Sequence, residues 1–143
     1  MVKATSFLVV QAGAERVGLG LEAVREVVDV VPPRPVPAKT GALRGVMPLH
    51  DRHVSLLHLG ALLHGGRPPE QVGDTAVVVK VGRASVALEV EGVEDVSDRS
   101  AAWVGSPPVA WGSGVWQVGD DLVTVLDLGV LAERIQEQGG DNG

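Results

Sequence analysis

The chain has 143 residues, 45% hydrophobic and 21% charged, the balance of an ordered globular protein rather than a disordered one. Its net charge of −6 and isoelectric point near 5.1 exclude nucleic acid and anionic lipid as natural partners, because both demand a basic surface. Cysteine is absent, which removes disulfides, thiolate nucleophiles and cysteine-ligated metals together.

In chain order, the N-terminal stretch Met1–Gln11 is a short apolar run without the longer apolar core and cleavage site of a signal peptide. No apolar stretch approaches bilayer length, so the expectation is a cytoplasmic protein with no direct membrane insertion. A first strand-like run ends at Gly13, where a hairpin turn needs a residue tolerant of positive φ. Val17, Leu19 and Leu21 then alternate with Gly18 and Gly20, the period of two of a half-buried strand. The stretch Val28–Arg44 is rich in proline, with Pro32, Pro33, Pro35 and Pro37. His53–Leu57 alternates again after a polar turn at His50–Arg52, and Leu59–Leu63 has room for one helical turn. Gly82 marks a second hairpin, followed by Val86, Leu88 and Val90 alternating with Ala87 and Glu89. Ser97–Ser113 is a connection carrying Trp103, Pro107, Pro108 and Trp111, and Leu122–Leu126 is another strand. Asp127–Gln138 reads as a terminal helix, with Asp127 at the N-cap and Leu128, Leu131 and Ile135 at helical spacing.

The order of these elements is a duplication. Shifted by 69 residues, Phe7–Val27 lies over Ala76–Val96 and Gly45–Leu62 over Gly114–Leu131 without a gap. Identities include Val9/Val78, Val10/Val79, Gly13/Gly82, Val17/Val86, Leu19/Leu88, Glu22/Glu91, Gly45/Gly114, Val54/Val123, Leu57/Leu126 and Leu62/Leu131. A single offset serving both blocks separates this from the chance likeness of any two valine-rich strands. Many short strands at such spacing predict an all-β protein of small barrels. A unit of this size buries too little apolar surface to stand comfortably alone. The repeat units at 7–62 and 76–131 are therefore expected to share one core within a single domain over 1–138, with a flexible tail at 139–143.

The first block, FLVVQAGAERVGLGLEAVREVV, resembles the opening of CheW-like domains, whose second strand leads into a Val-x-Glu-Val/Ile motif matched by Val24, Glu26 and Val27. RGVMPLHDRHVSLLHL resembles that family's Gly-Val-Ile-Asn-Leu-Arg-Gly stretch through Gly45, Val46 and Leu49, and ALEVEGVEDV its Val-Asp-x-Val segment through Val90, Glu91 and Val93. The resemblance spans Phe7 to Ile135. It implies two interleaved five-stranded SH3-like barrels with a pseudo-two-fold repeat and a C-terminal helix, and neither catalytic activity nor a cofactor. It further implies a scaffold bridging the regulatory domain of a CheA-like histidine kinase and the cytoplasmic tip of methyl-accepting chemotaxis receptors. By position, Val24, Glu26, Val27, Gly45, Val46, His50, Val93 and Val96 fall where such partners bind.

Departures from the family pattern are local. Pro48-Leu49-His50-Asp51 stands in place of Asn-Leu-Arg-Gly, so the partner-contacting arginine is His50 and the turn glycine Asp51; His58 replaces the Asp before Leu59. Imidazole does not reproduce a bidentate guanidinium, which points to an altered partner set, such as a pilus-motility or accessory pathway. A competing class comes from His50, His53, His58 and His64, which lie in one short stretch with Asp51 and invite a metal-dependent enzyme or sensor. Ser55 beside His53 or His58 supplies hydrolase residue types but no nucleophile elbow, phosphate loop or oxyanion motif. For the three tryptophans, interface anchors and caps on the second barrel's core are equal expectations.

Overall fold

In a computed structural model of the chain, residues 7–35, 41–94 and 101–137 are described. The first half supplies β1 (Phe7–Ala12), β2 (Glu15–Gly20), β3 (Val24–Asp29), β4 (Leu43–Leu49), β5 (Arg52–His58) and α1 (Leu59–His64). The second supplies β6 (Thr75–Val81), β7 (Ala84–Val90), β8 (Gly92–Glu94), β9 (Ala101–Gly105), β10 (Gly112–Val118), β11 (Asp121–Leu126) and α2 (Leu128–Glu137). The terminal helix therefore forms as predicted; its expected last residue, Gln138, and the expected tail at 139–143 lie outside the described residues.

Two sheets result, a six-stranded one in the order β8-β1-β2-β11-β10-β9 and a five-stranded one in the order β3-β6-β7-β5-β4. The shift of 69 residues maps one order onto the other strand by strand, so the pseudo-symmetry in the sequence is the symmetry of the fold. The count differs from five-plus-five by β9. Its counterpart in the five-stranded sheet is the isolated bridge Arg34–Val46, where the chain leaving β3 returns to pair with β4 and joins the two ends of the sheet. The β1–β2 hairpin of the first repeat lies in the sheet of the second, and β6–β7 lies in the sheet of the first, through parallel pairings β2–β11 and β5–β7. The two copies are thus interleaved.

This exchange explains a departure from the sequence expectation. Val17–Gly20 and Val86–Val90 are buried on both faces, not half-buried. One face of each exchanged hairpin turns into a barrel interior, made by Phe7, Val9, Val123 and Val125 on one side and by Met47, Leu49, Val54, Leu56, Ala76, Val78 and Ala87 on the other. The opposite face enters a larger core between the sheets, containing Leu8, Val10, Val17, Leu19, Leu57, Val77, Val79, Val86, Leu88, Leu126 and Leu131. Equivalent positions keep equivalent faces: Val10 and Val79, or Leu57 and Leu126, line the shared core, whereas Val9 and Val78 line the two interiors. With four and seven buried side chains among the described residues, each barrel interior is too small to support a fold alone, and the shared core supplies the remainder. Leu21, predicted as the last member of the alternation, lies beyond β2 and is 47% exposed.

Packing inside the two barrels is complementary by exchange of volume. A Cβ on Gly18 would lie 2.9 Å from Val125 Cγ2 and 3.0 Å from Phe7 Cδ1, because Phe7 fills the space above it. The equivalent pair in the other barrel is Ala87 with Ala76, and Met47 occupies that interior instead. The tryptophans divide among environments. Trp111 is buried in the shared core, edge-on to His64; Trp116 packs on Phe7 with ring centroids 5.9 Å apart; Trp103 is 51% exposed.

Four two-residue hairpins share one turn geometry, with positive φ at the first turn residue. Gly13, Gly82 and Gly119 take it at φ 66°, 62° and 60°, and His50 at φ 57°. The left-handed conformation therefore falls on His50, one residue before the position expected from Asp51.

Candidate functional site

Among the described residues β3 is an edge strand, hydrogen-bonded only to β6. A register irregularity between Val24 and Glu26 lets the two residues face opposite ways: Val24 pairs with Val79 and packs against the shared core, whereas Glu26 pairs with Val78 on the other face. Val27 is 47% exposed. Across the sheet end, the β4–β5 turn brings His50 to this strand, its Nε2 lying 3.1 Å and 3.0 Å from the Glu26 carboxylate oxygens. The two side chains are 68% and 37% exposed, so the pair is a surface contact of small energetic weight, well placed to exchange its partner. Val24, Glu26 and Val27 thus lie along one strand, with Val24 turned to the shared core and His50 reaching the strand at Glu26.

Gly45 and Val46 stand differently. Gly45 is buried at φ 144°, and a Cβ there would lie 2.3 Å from the Arg34 carbonyl oxygen, so the glycine permits the backbone approach that closes the five-stranded sheet. Val46 exchanges both backbone hydrogen bonds with Arg34, at 2.7 Å and 2.9 Å, so at this residue the outer edge of β4 is already paired. Val93 lies on β8, the edge of the six-stranded sheet, and packs half-buried against the shared core like its duplicate Val24. Val96 lies outside the described residues.

The histidines close in sequence are dispersed by the fold. His50 meets Glu26, His64 meets Glu15 at 2.6 Å, and His53 is exposed. His58 is buried, its Nδ1 accepting from the Ala61 amide at 3.1 Å to cap α1 while Nε2 contacts Glu91 at 2.8 Å. With Nδ1 acting as acceptor, the proton sits on Nε2 and is donated to Glu91. This explains how histidine serves where the second repeat has Asp127, whose Oδ1 accepts from the Gly129 and Val130 amides at the start of α2. Glu91 also accepts from the Gly13 amide at 2.6 Å, tying the first hairpin to the second repeat. Among the described residues no group of three or more His, Asp or Glu side chains converges to hold a metal.

A further polar centre was not singled out in the sequence. Arg44 grips Glu89 through Nε at 2.7 Å and Nη2 at 3.1 Å, with the two side chains 9% and 2% exposed. Its signal was readable: across the duplication both members change together, Arg44 to Ser113 and Glu89 to Gly20.

Among the described residues no helix is long and apolar enough to cross a membrane. No curated protein sequence matches the chain. The fold is similar to the crystal structure of scaffolding protein TtCheW from Thermoanaerobacter tengcongensis, with a TM-score of 0.71 and 19% identity over 86% of this chain and 88% of that one. The family model of the CheW-like domain matches residues 6–136, from the start of β1 into the last turn of α2. The chain belongs to the CheW-like domain family.

Proposed function

We propose that this protein is a non-catalytic, cytoplasmic adaptor that couples methyl-accepting receptors to the regulatory domain of a CheA-like histidine kinase. The observation that carries the reading is the β3 rim, a strand edge unpaired among the described residues and bearing exposed Val27 and the Glu26–His50 pair. Strand edges recruit partner strands through backbone hydrogen bonds, and flanking side chains confer specificity. Membership of a scaffold family supports the same role. The repeat units at 7–62 and 76–131 act as one domain, since each lends its first hairpin to the other's sheet and neither half keeps a whole barrel when separated. Binding two partners at once turns two modest affinities into a stable assembly.

The test is titration with the regulatory domain of a CheA-like histidine kinase and, separately, with a receptor-tip fragment. Saturable binding is expected, weakened roughly ten-fold by Glu26→Lys with an unchanged melting temperature. An intact protein that binds neither component overturns the reading.

A narrower version is favoured by His50, which stands where the family has a partner-contacting arginine and is engaged internally with Glu26. In that version kinase binding persists and receptor contact is altered, as in an accessory or pilus-motility regulator. Binding to the kinase domain but not to the receptor fragment distinguishes it.

A further inference from the structure

The end of the six-stranded sheet beside the start of α2 holds an open cleft of about 470 Å³. Trp103 and Trp116 line it with Gly20, Glu22, Ser113 and Asp127. None of these residues belongs to the β3 rim.

The duplication provides a template for what fills such a cleft. Shifted by 69 residues, Gly20, Glu22, Ser113 and Asp127 correspond to Glu89, Glu91, Arg44 and His58, all of which are engaged within the chain. There Arg44 reaches the Glu89 carboxylate and also donates from Nη1 to the Pro69 carbonyl at 2.6 Å and from Nη2 to the Gln71 carbonyl at 3.3 Å. The Gly73 amide donates to the same carboxylate at 2.8 Å. An arginine and an extended chain segment, the linker between the repeats, close that end together.

In the six-stranded half both large side chains are replaced by small ones, Ser113 for Arg44 and Gly20 for Glu89. A carboxylate nevertheless remains: Glu22 folds over Gly20, its Oε1 only 2.5 Å from where a Cβ on that glycine would stand. Asp127 adds a second acidic group, of which the helix cap uses only Oδ1. Among the described residues no arginine or lysine forms a salt bridge with Glu22 or Asp127. The nearby Arg25 donates from Nη1 to the Glu22 backbone carbonyl at 3.1 Å and leaves the carboxylate without a paired cation, beside two indole rings of a type that favours cations.

We propose that this cleft receives an arginine side chain presented by an extended segment of a partner protein, which takes the place that Arg44 and the linker fill in the other half. Two carboxylates supply the charge-assisted hydrogen bonds, and the tryptophans stack on the guanidinium plane. The assignment deepens the adaptor reading and rests on it for the claim that the occupant belongs to another protein.

The experiment uses the full chain alone, so its outcome is independent of any kinase or receptor. The probe is the capped peptide acetyl-Gly-Arg-Gly-amide, with its citrulline and leucine analogues, followed by the indole N–H resonances. Saturable shifts are expected at Trp103 and Trp116 but not at Trp111, which is buried in the shared core and serves as an internal control. Citrulline, isosteric but uncharged, is expected to bind roughly ten-fold more weakly, as is the arginine peptide to Glu22→Gln. Ser113→Arg, which supplies the guanidinium from within, is expected to abolish the response; should it not fold, the solvent-exposed Glu22→Gln variant still decides. Equal response to citrulline, tighter binding of the leucine peptide, shifts spread equally over all three indoles, or indifference to Glu22→Gln would overturn the proposal.

Discussion

The two sheets share a strand order and part company at corresponding ends. In the five-stranded half a buried ion pair, Arg44–Glu89, and the inter-repeat linker seal the barrel; in the six-stranded half Ser113 and Gly20 leave a tryptophan-lined opening. Differences on a smaller scale are His58 against Asp127 and His50 against Gly119, while Gly45 and Gly114 keep the residue and differ in surroundings. A duplicated backbone thus tolerates different chemistry at equivalent positions, provided that each position keeps its face. The lesson is that topology is held by the aliphatic residues the halves share, and individuality by polar residues that changed in linked sets.

The contrast is broken most severely at the ion pair. Arg44→Met strands a carboxylate that is 2% exposed and is expected to cost about 3–5 kcal/mol in denaturant unfolding. Adding Glu89→Leu should recover most of that loss, because an apolar pair of similar volume fills a buried site nearly as well as a salt bridge. If the double variant is as unstable as the single one, the contacts to the linker rather than the charge pairing hold this end together.

Next in size is the glycine pair. Gly45→Ala forces a Cβ against the Arg34 carbonyl at a φ that L-residues avoid and should cost about 2–3 kcal/mol. Gly114→Ala meets first the Trp103 indole nitrogen, at 3.2 Å, a side-chain atom that can move aside, so its cost should be markedly smaller. Thermal melts of the two variants make the comparison directly.

The helix caps should differ less. His58→Ala removes a cap and leaves a buried space beside Glu91, for an expected loss of about 2 kcal/mol, against about 1 kcal/mol for Asp127→Ala. Equal losses would mean that the Glu91 contact contributes nothing to stability. The smallest effect belongs to the turn: His50→Gly relieves a left-handed residue while giving up an exposed pair, for a net gain of about 0.5 kcal/mol by urea titration. The reciprocal Gly119→His should lose a similar amount.

Much of this architecture was readable before any coordinates. Strand periodicity, the glycines at 13 and 82, the Asp127 cap and the offset of 69 residues placed the hairpins, the terminal helix and the two-fold relation correctly. The candidate rim was legible in part. Glu26 and His50 were both marked, but their contact was not, because it joins the β4–β5 turn to strand β3, 24 residues away in sequence. Gly45 carried a family motif, yet its buried φ of 144° against Arg34 shows a backbone role that no spacing rule announces.

What the amino-acid order determined by itself is local: where the chain turns, which residues alternate, and that it repeats. Tertiary structure alone decided which hairpin went into which sheet. Both repeats offer the same aliphatic edges, so pairing within or across copies satisfies the same pattern; in the exchanged arrangement Leu8, Val10, Val77 and Val79 are buried in one shared core. It also decided that histidines adjacent in sequence would be separated, each to its own glutamate or to solvent, and that Arg44 would find Glu89. These partners lie far apart along the chain, and a residue type says nothing about distance until the core brings its strands together.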